Sequence, residues 1–431
     1  MLARDLHRKE PRENRFMSSY EEGLMSQRFP IPRYPTGWFQ VLWSDELEVE
    51  QVQPLTAFGR ELVLFRTEAG EAKVLDAHCP HMGAHLGHNG VVEGDSVKCP
   101  FHAWKFDGGG KCTDIPYANK IPPKGSSMRA WHVEEKDGLI LLWHDIDGNP
   151  PAWTIPELPE LGNDEWSEPV KKKWKFRSHN QEMGENVVDI AHFKYLHGMT
   201  QVPPAVVEGR EHIFHMETPT FMESKRGEME GTLVSDSYGF GVTANRFTGF
   251  VDTLCVGCVT AVDDEYVEVR FTFSVKKVEN ADITHGIGMA FVAEIGRQLE
   301  QDIPVWENKV YLDRPALCEG DGPFMAYRKW GSQFFPDWYR KRSAELWHAQ
   351  ERSRPEYRPP EPEEPGLRVV VDYDRCEANA LCMDECPEVF RVEADETLTV
   401  ISERPNESLH PKLVIGANRC PRAAIKLVQE G

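Results

Sequence analysis

No run of about 18 apolar residues occurs anywhere in the 431-residue sequence, which excludes a helix able to cross a bilayer. The opening stretch, MLARDLHRKEPRENRF, is charged throughout and has no apolar core, so no secretory signal is expected and the chain reads as cytoplasmic. Positive charge is in short supply. Lys and Arg number 49 against 70 Asp and Glu, a formal net charge of −21, and nucleic acid or anionic membrane would repel such a polyanion. No internal repeat is visible, so a repeat architecture is not expected. Cysteine is not scarce: ten in a chain without a leader argue for metal ligation over a disulfide framework.

The length allows two or three domains. Residues 1–29 form a charged N-terminal arm. Residues 30–147 hold short β-type runs punctuated by glycine (GWFQVLW, LVLFR, AKVLDAH, LILLWHD), the pattern of a small all-β domain. Residues 148–348 open with a Pro-rich connection and a helical stretch from about Asn180 to Gly198. Alternating strands are expected between about His212 and Val292, then a long helix from about Gly296 to Leu312. That order predicts an α+β domain whose antiparallel sheet wraps a long helix. Residues 349–366 are proline-rich and acidic, a semi-rigid linker, and 367–431 form a small α+β module with its own cysteines.

The first cluster of chemistry-bearing residues is Cys79-Pro80-His81 with Cys99-Pro100-Phe101-His102. Two mixed Cys-His pairs suit a binuclear [2Fe–2S] cluster, with thiolates on one iron and neutral imidazoles on the other. A Cys2His2 zinc site would pair Cys with Cys and His with His, so zinc is disfavoured. His78, His85 and His88 read as loop residues rather than ligands, and Cys112 as structural.

The second is Asn186-Val-Val-Asp189-Ile-Ala-His192-Phe-Lys-Tyr-Leu-His197. Two histidines and a remote carboxylate make the facial triad of a mononuclear Fe(II) site with open positions. Five residues apart on a regular helix, His192 and His197 would point about 140° away from each other, so the helix must distort or end between them. The carboxylate is expected from Asp302, beside Pro304, with Glu300 and Glu294 as alternatives.

The third is Cys376-x5-Cys382-x3-Cys386-Pro387 with a remote Cys420-Pro421. Bacterial ferredoxins run C-x2-C-x2-C-x3-C-P, and here Asn379 stands in the second cysteine's place. Three thiolates at Cys376, Cys382 and Cys420 suit a [3Fe–4S] cluster, with [4Fe–4S] the alternative. Cys386 is expected to be a free thiol. Cys255 and Cys258 read as buried sheet cysteines.

The segments CPHMGAHLG, CPFHAWKFDGGGKC, IPYANKIPP, AWHVEEKDGLILLWHD and ENVVDIAHFKYLH resemble Rieske non-haem iron oxygenase α-subunits. The likeness runs from about residue 30 to 345 and is nearest to the 3-ketosteroid 9α-hydroxylase and cholesterol 7-desaturase branch. It implies a Rieske domain at 30–147 bound through Cys79, His81, Cys99 and His102, and a helix-grip catalytic domain with iron on His192, His197 and Asp302. It also implies that Asp189 bridges a Rieske histidine of one subunit to the iron site of its neighbour, hence a homotrimer. The C-terminal module departs from most relatives and resembles the [3Fe–4S] ferredoxins of bacterial oxygenase systems. Electrons from NAD(P)H would enter through a flavoprotein reductase, and O2 would oxidise a C–H bond of a bulky apolar substrate, a steroid or sterol. Hydroxylation, methyl oxidation and desaturation are all compatible. An oxygenase for aromatic compounds and a pure electron-transfer protein are the rival readings.

Overall fold

A computed structural model describes residues 28–429, apart from 123, 225–226, 250, 319, 354–366, 374 and 394–396. Residues 1–27 of the expected arm and 354–366 of the expected linker lie outside the described residues. The chain divides into two compact units, Met1–Glu351 and Arg352–Gly431. Among the described residues no helix is long and apolar enough to cross a membrane.

The first unit begins with small antiparallel sheets. A three-stranded sheet pairs Gly37–Trp43 with Leu139–His144 and the latter with Val133–Lys136. The GWFQVLW and LILLWH runs are buried on both faces, which explains their near-continuous apolar character. Four short strands from Val91 to Asp114 make the sheet that carries the first Cys-His loops.

The rest of the unit is a seven-stranded antiparallel sheet. In spatial order its strands are Val170–Arg177, Tyr266–Val275, Thr253–Ala261, Val242–Thr248, Gly227–Tyr238, Ile213–Ser224 and Val206–Arg210. The two layers are stitched together: Phe58 N–H donates to Ala261 O at 2.8 Å, and the Trp43 indole N–H to Thr272 Oγ1 at 2.9 Å. Cys255 and Cys258 are buried in the strand Thr253–Ala261, as expected.

Two short helices, α1 (Asn180–Val188) and α2 (Ile190–Tyr195), make up the helical stretch expected over about 180–198. Buried His179 caps α1, accepting from Gln181 N–H at 3.0 Å while its other nitrogen lies 3.1 Å from Pro32 O. The break falls at Asp189 (φ −82°, ψ 81°). Gly322 lies against it so closely that a Cβ there would sit 1.6 Å from Val188 O, which leaves no side chain possible. Arg328 grips Glu185 of α1 through two bonds of 2.7 and 3.0 Å, both side chains 4% exposed, and holds α1 against the following elements.

The 28-residue helix α3 (Ala281–Asn308) lies against the sheet. It starts well before Gly296, so residues 281–292 are helical and not strand. Asn280 caps it, its side chain accepting from Asp282 and Ile283 N–H. Its buried residues Val292, Gly296, Leu299, Asp302 and Trp306 recur every three or four positions, the stripe of a helix with one inward face. Helices α4 (Phe324–Gly331) and α5 (Asp337–Ser353) follow, and α5 runs into the stretch expected to be linker.

The second unit pairs Leu367–Val371 with Ile425–Gln429 and Phe390–Val392 with Leu398–Val400. It adds helices α6 (Leu381–Glu385) and α7 (His410–Arg419) around a core containing Cys382, Cys386, Phe390 and Leu413.

Candidate iron centres and their protein ligands

The two Cys-His loops fold alike. In each, the cysteine carbonyl accepts from the residue four positions on, Gly83 N–H at 2.9 Å and Ala103 N–H at 3.1 Å. Each cysteine N–H donates five positions on, to Ala84 O and Trp104 O, both at 2.8 Å. Gly83 (φ 75°) and Ala103 (φ 57°) take the left-handed conformation that closes each loop. The loops face each other, with the His81 and His102 ring centroids 4.6 Å apart. Cys79 and Cys99 are both buried. Burial, with Cys99 adding to it, pushes the Cys79 thiol up to about 11, so a bound cation would favour its thiolate.

The His81 ring stacks on the Trp104 indole at 4.7 Å. Its Nδ1 is buried without a hydrogen-bond partner among the described residues. An orphaned ring nitrogen in a loop with buried thiols fits a ligand of an iron–sulfur cluster. His78 pairs with Glu61 at 2.8 Å, and His85 and His88 follow it at ring distances of 5.2 and 4.6 Å. Cys112 is buried and points its Sγ toward Asp114 O.

The break at Asp189 and the end of α2 decide the second site. His197 lies beyond the C-terminal residue Tyr195, so the helix ends between the two histidines and their rings meet at 4.8 Å. Asp302 of α3 completes the group. One ligand atom from each of His192, His197 and Asp302 can lie within 4.8 Å of the others, and this is the one such group of His, Cys, Asp and Glu among the described residues. His197 Nε2 is 3.4 Å from Asp302 Oδ1. Burial pulls the His197 pKa down, but the bond to Asp302 outweighs it and raises it. Glu300 is exposed, and Glu294 is engaged by Arg297 at 2.9 Å, so neither joins the group.

Around these three stand groups that sequence reasoning passed over. His192 Nδ1 bonds to the Asp189 backbone carbonyl, and His197 Nδ1 lies 3.1 Å from Gln301 Oε1. Each contact suits the tautomer with its proton on Nδ1, so that Nε2 is the nitrogen turned to the shared site. Asn186 Nδ2 is 3.2 Å from His192 Nε2. Asn186 sat inside the quoted motif and Gln301 beside the expected ligand, yet only the folded geometry assigns them work. The Asp189 carboxylate caps α2, accepting from His192 N–H at 3.3 Å. Burial would raise its pKa, but its bonds and charge interaction with His192 hold it below the usual carboxylate range.

The triad opens into a cavity of about 150 Å³ floored by Met183, Leu299 and Trp306. A second cavity of about 380 Å³ adjoins it, walled by Met199, Val251, Ile287, Phe291 and other apolar side chains between sheet and α3.

In the second unit, burial raises the Cys382 thiol pKa, with Cys376 and Cys420 adding to the effect, so these three thiols share one neighbourhood. The loop from 376 to 382 turns through left-handed Ala378 and Ala380. Cys420 Sγ accepts from Ala424 N–H at 3.4 Å, a bond of the kind that tunes cluster sulfurs. Asn379 is exposed. Cys386 is fully buried, and the charged neighbours it feels are Glu388 and Lys412 rather than the other cysteines.

Two cysteine–histidine loops in an all-β region, together with a facial-triad pocket between a sheet and a long helix, define a Rieske-type non-haem iron oxygenase. Residues 37–125 match the Rieske [2Fe–2S] domain, 142–335 the 3-ketosteroid 9α-hydroxylase C-terminal domain, and 371–427 the 4Fe–4S single cluster domain of ferredoxin I. The chain is 35% identical over 325 residues to a 3-ketosteroid-9-alpha-monooxygenase oxygenase component of Rhodococcus rhodochrous, covering 71% of this chain and 82% of that one. It is 30% identical over 336 residues to cholesterol 7-desaturase nvd 1 of Ciona intestinalis, covering 71% and 70%. The chain belongs to the 3-ketosteroid-9-alpha-monooxygenase oxygenase-component family and is a Rieske monooxygenase. Among solved structures, dicamba monooxygenase bound to dicamba aligns with a TM-score of 0.59 at 18% identity, over 74% of this chain and 100% of that one. Pseudomonas putida CBB5 NdmA with caffeine gives 0.58 at 19%, over 77% and 94%. At that identity the likeness speaks for the fold alone.

Proposed function

We propose that this chain is the oxygenase component of a steroid- or sterol-oxidising Rieske monooxygenase that carries its own electron-transfer ferredoxin. The observation that carries it is the triad cavity adjoining an apolar chamber of about 380 Å³, within the roughly 300–1,000 Å³ of small-molecule sites. The names of the relatives supply the substrate class. In this reading the Rieske domain spans 30–147, the catalytic domain 148–348, the linker 349–366 and the ferredoxin-like domain 367–431.

Cys79, His81, Cys99 and His102 hold the [2Fe–2S] cluster, and His192, His197 and Asp302 hold Fe(II). Loaded, the clusters supply single electrons from NAD(P)H through a separate flavoprotein reductase, and Fe(II) supplies O2 activation. The chain's own work is positional. The Asp189 carbonyl and Gln301 aim the two imidazoles, while α3 supplies Asp302. Phe193, Leu233 and Phe247 keep water from the reacting carbon. In this reading the Asp189 side chain, 36% exposed, bridges to a Rieske histidine of a neighbouring subunit in a cytoplasmic homotrimer. A panel of steroids, sterols and aromatic compounds, each titrated against the spectrum of the ferrous site, tests the substrate class. Shifts by steroids or sterols are expected; shifts by aromatics alone would refute the reading.

For the C-terminal centre we infer a [3Fe–4S] cluster on Cys376, Cys382 and Cys420. The as-isolated oxidised protein should show its spin signal. Asn379→Cys should convert it toward [4Fe–4S] and lower its potential, because a fourth thiolate would then be available at the position the ferredoxin pattern gives to cysteine. Cys386→Ser should change little, since that thiol lies in the core beside Glu388. A wild-type [4Fe–4S] centre lost in Cys386→Ser would overturn the assignment.

Truncation after Ser353, where α5 ends, should leave an oxygenase that chemical reductants still drive. NAD(P)H-coupled turnover at equal enzyme and reductase should fall on the order of 100-fold, the loss expected when a tethered carrier is removed. Unchanged coupled turnover would mean that electrons do not enter through the fused module.

A further inference from the structure

The cavity at the triad and the apolar chamber beside it share five lining residues, Phe193, Leu233, Phe247, Ile295 and Gln298. Four are hydrocarbon. Gln298 is the polar exception at the junction, and it stands one helical turn before Asp302, about 6 Å along α3 on the same face.

The other polar groups lining the triad cavity from the sheet are occupied. Ser235 Oγ donates to Asn245 Oδ1 at 2.5 Å, Asn245 Nδ2 to Cys255 O at 3.2 Å, and Thr243 Oγ1 to Ser237 Oγ at 3.1 Å. Gln298 differs. Its Nε2 donates to Glu294 Oε1 at 2.8 Å, and the Arg297 guanidinium grips both oxygens of that carboxylate, at 2.9 and 2.5 Å. The Arg297 bond lowers the Glu294 pKa, so Glu294 is an ionised, acceptor-only partner. A carboxylate facing the amide nitrogen fixes which way the amide is turned. The carbonyl Oε1 is then the group left over, and it has no hydrogen-bond partner among the described residues.

Building on the steroid reading of this same pocket, we propose that Gln298 determines specificity by accepting a hydrogen bond from a substrate hydroxyl, so that the enzyme prefers a steroid alcohol to the matching ketone. A ketone offers no donor to Oε1 and would set two acceptors against each other in an apolar chamber. An alcohol satisfies both groups and pins the rigid ring system at one point. The C–H bond nearest the triad then follows from the position of that hydroxyl.

The test uses the full-length, cluster-loaded enzyme and two matched pairs, cholesterol with cholest-5-en-3-one and testosterone with androstenedione. Equilibrium dialysis reads affinity and mass spectrometry reads the carbon oxidised. In at least one pair the wild type should bind the alcohol roughly five- to tenfold tighter, the worth of one net hydrogen bond. Gln298→Met keeps the volume and should erase that preference by weakening the alcohol, with ketone binding unchanged and products scattered over more positions. Glu294→Gln removes the fixed acceptor, lets the amide turn, and should bring the ketone up toward the alcohol. Both variants are first checked for an intact Rieske spectrum. A wild type that favours the ketones, or a preference that survives in Gln298→Met, overturns the proposal while leaving the steroid reading in place. If the loaded wild type binds no member of either pair, the steroid reading itself fails.

Discussion

Replacing Asp302 or His192 by alanine should lower turnover by at least about a hundredfold while the Rieske absorption and spin signals stay intact. Loss of even an outer-shell partner of a metal typically costs roughly 10- to 100-fold, and these two are proposed as ligands themselves. The loss should be local. Asp302 lies on the inward stripe of α3, whose packing rests on Leu299 and Trp306, and His192 is held by contacts within α2. The Rieske loops draw on a different core, built from Val63, Phe65, Leu86, Val97 and Phe106. Iron analysis and steady-state turnover on the same samples make the measurement. Full activity and iron content in Asp302→Ala would return the carboxylate role to Glu300 or Glu294.

Asp189→Asn should bind iron and substrate normally yet turn over on the order of 100-fold more slowly. The backbone carbonyl of residue 189, which aims the His192 ring, is untouched by the change. Asparagine caps a helix as well as aspartate does, so the bond to His192 N–H and the break before α2 should survive. What disappears is the negative charge, held ionised in the wild type by His192. Single-turnover oxidation of the reduced Rieske cluster by O2 isolates this step, and a wild-type rate there would remove the bridging role.

Much of the site was legible because its chemistry is packed into short segments. The spacings Cys79-x-His81 and Cys99-x2-His102 are set by two loops that each close on themselves, so the local sequence nearly determines the geometry. The same holds for His192 and His197, where a spacing incompatible with a regular helix required the helix to distort or end between them, and it ends. Asp302 was reachable across more than a hundred residues through Pro304, an unusual residue inside a helix. The start of α3 was not. Residues 281–292 contain Gly286, Gly288 and the β-branched Ile283, Thr284, Ile287 and Val292, poor helix formers that packing against the sheet overrides. Arg328, which steadies α1 through Glu185, lies 143 residues from its partner, and no local pattern announces such a pairing. Gln301, Asn186 and Gln298 acquire roles only from what the fold sets beside them.

The most direct test is O2 consumption by the complete enzyme with its reductase and NAD(P)H, measured with a steroid or sterol, with an aromatic compound, and with no substrate. O2 uptake matched by an oxidised steroid product, strongly reduced without substrate and reduced at least about a hundredfold in Asp302→Ala, is the result expected. Uptake that ignores the steroid, or that persists undiminished in Asp302→Ala, would contradict the account.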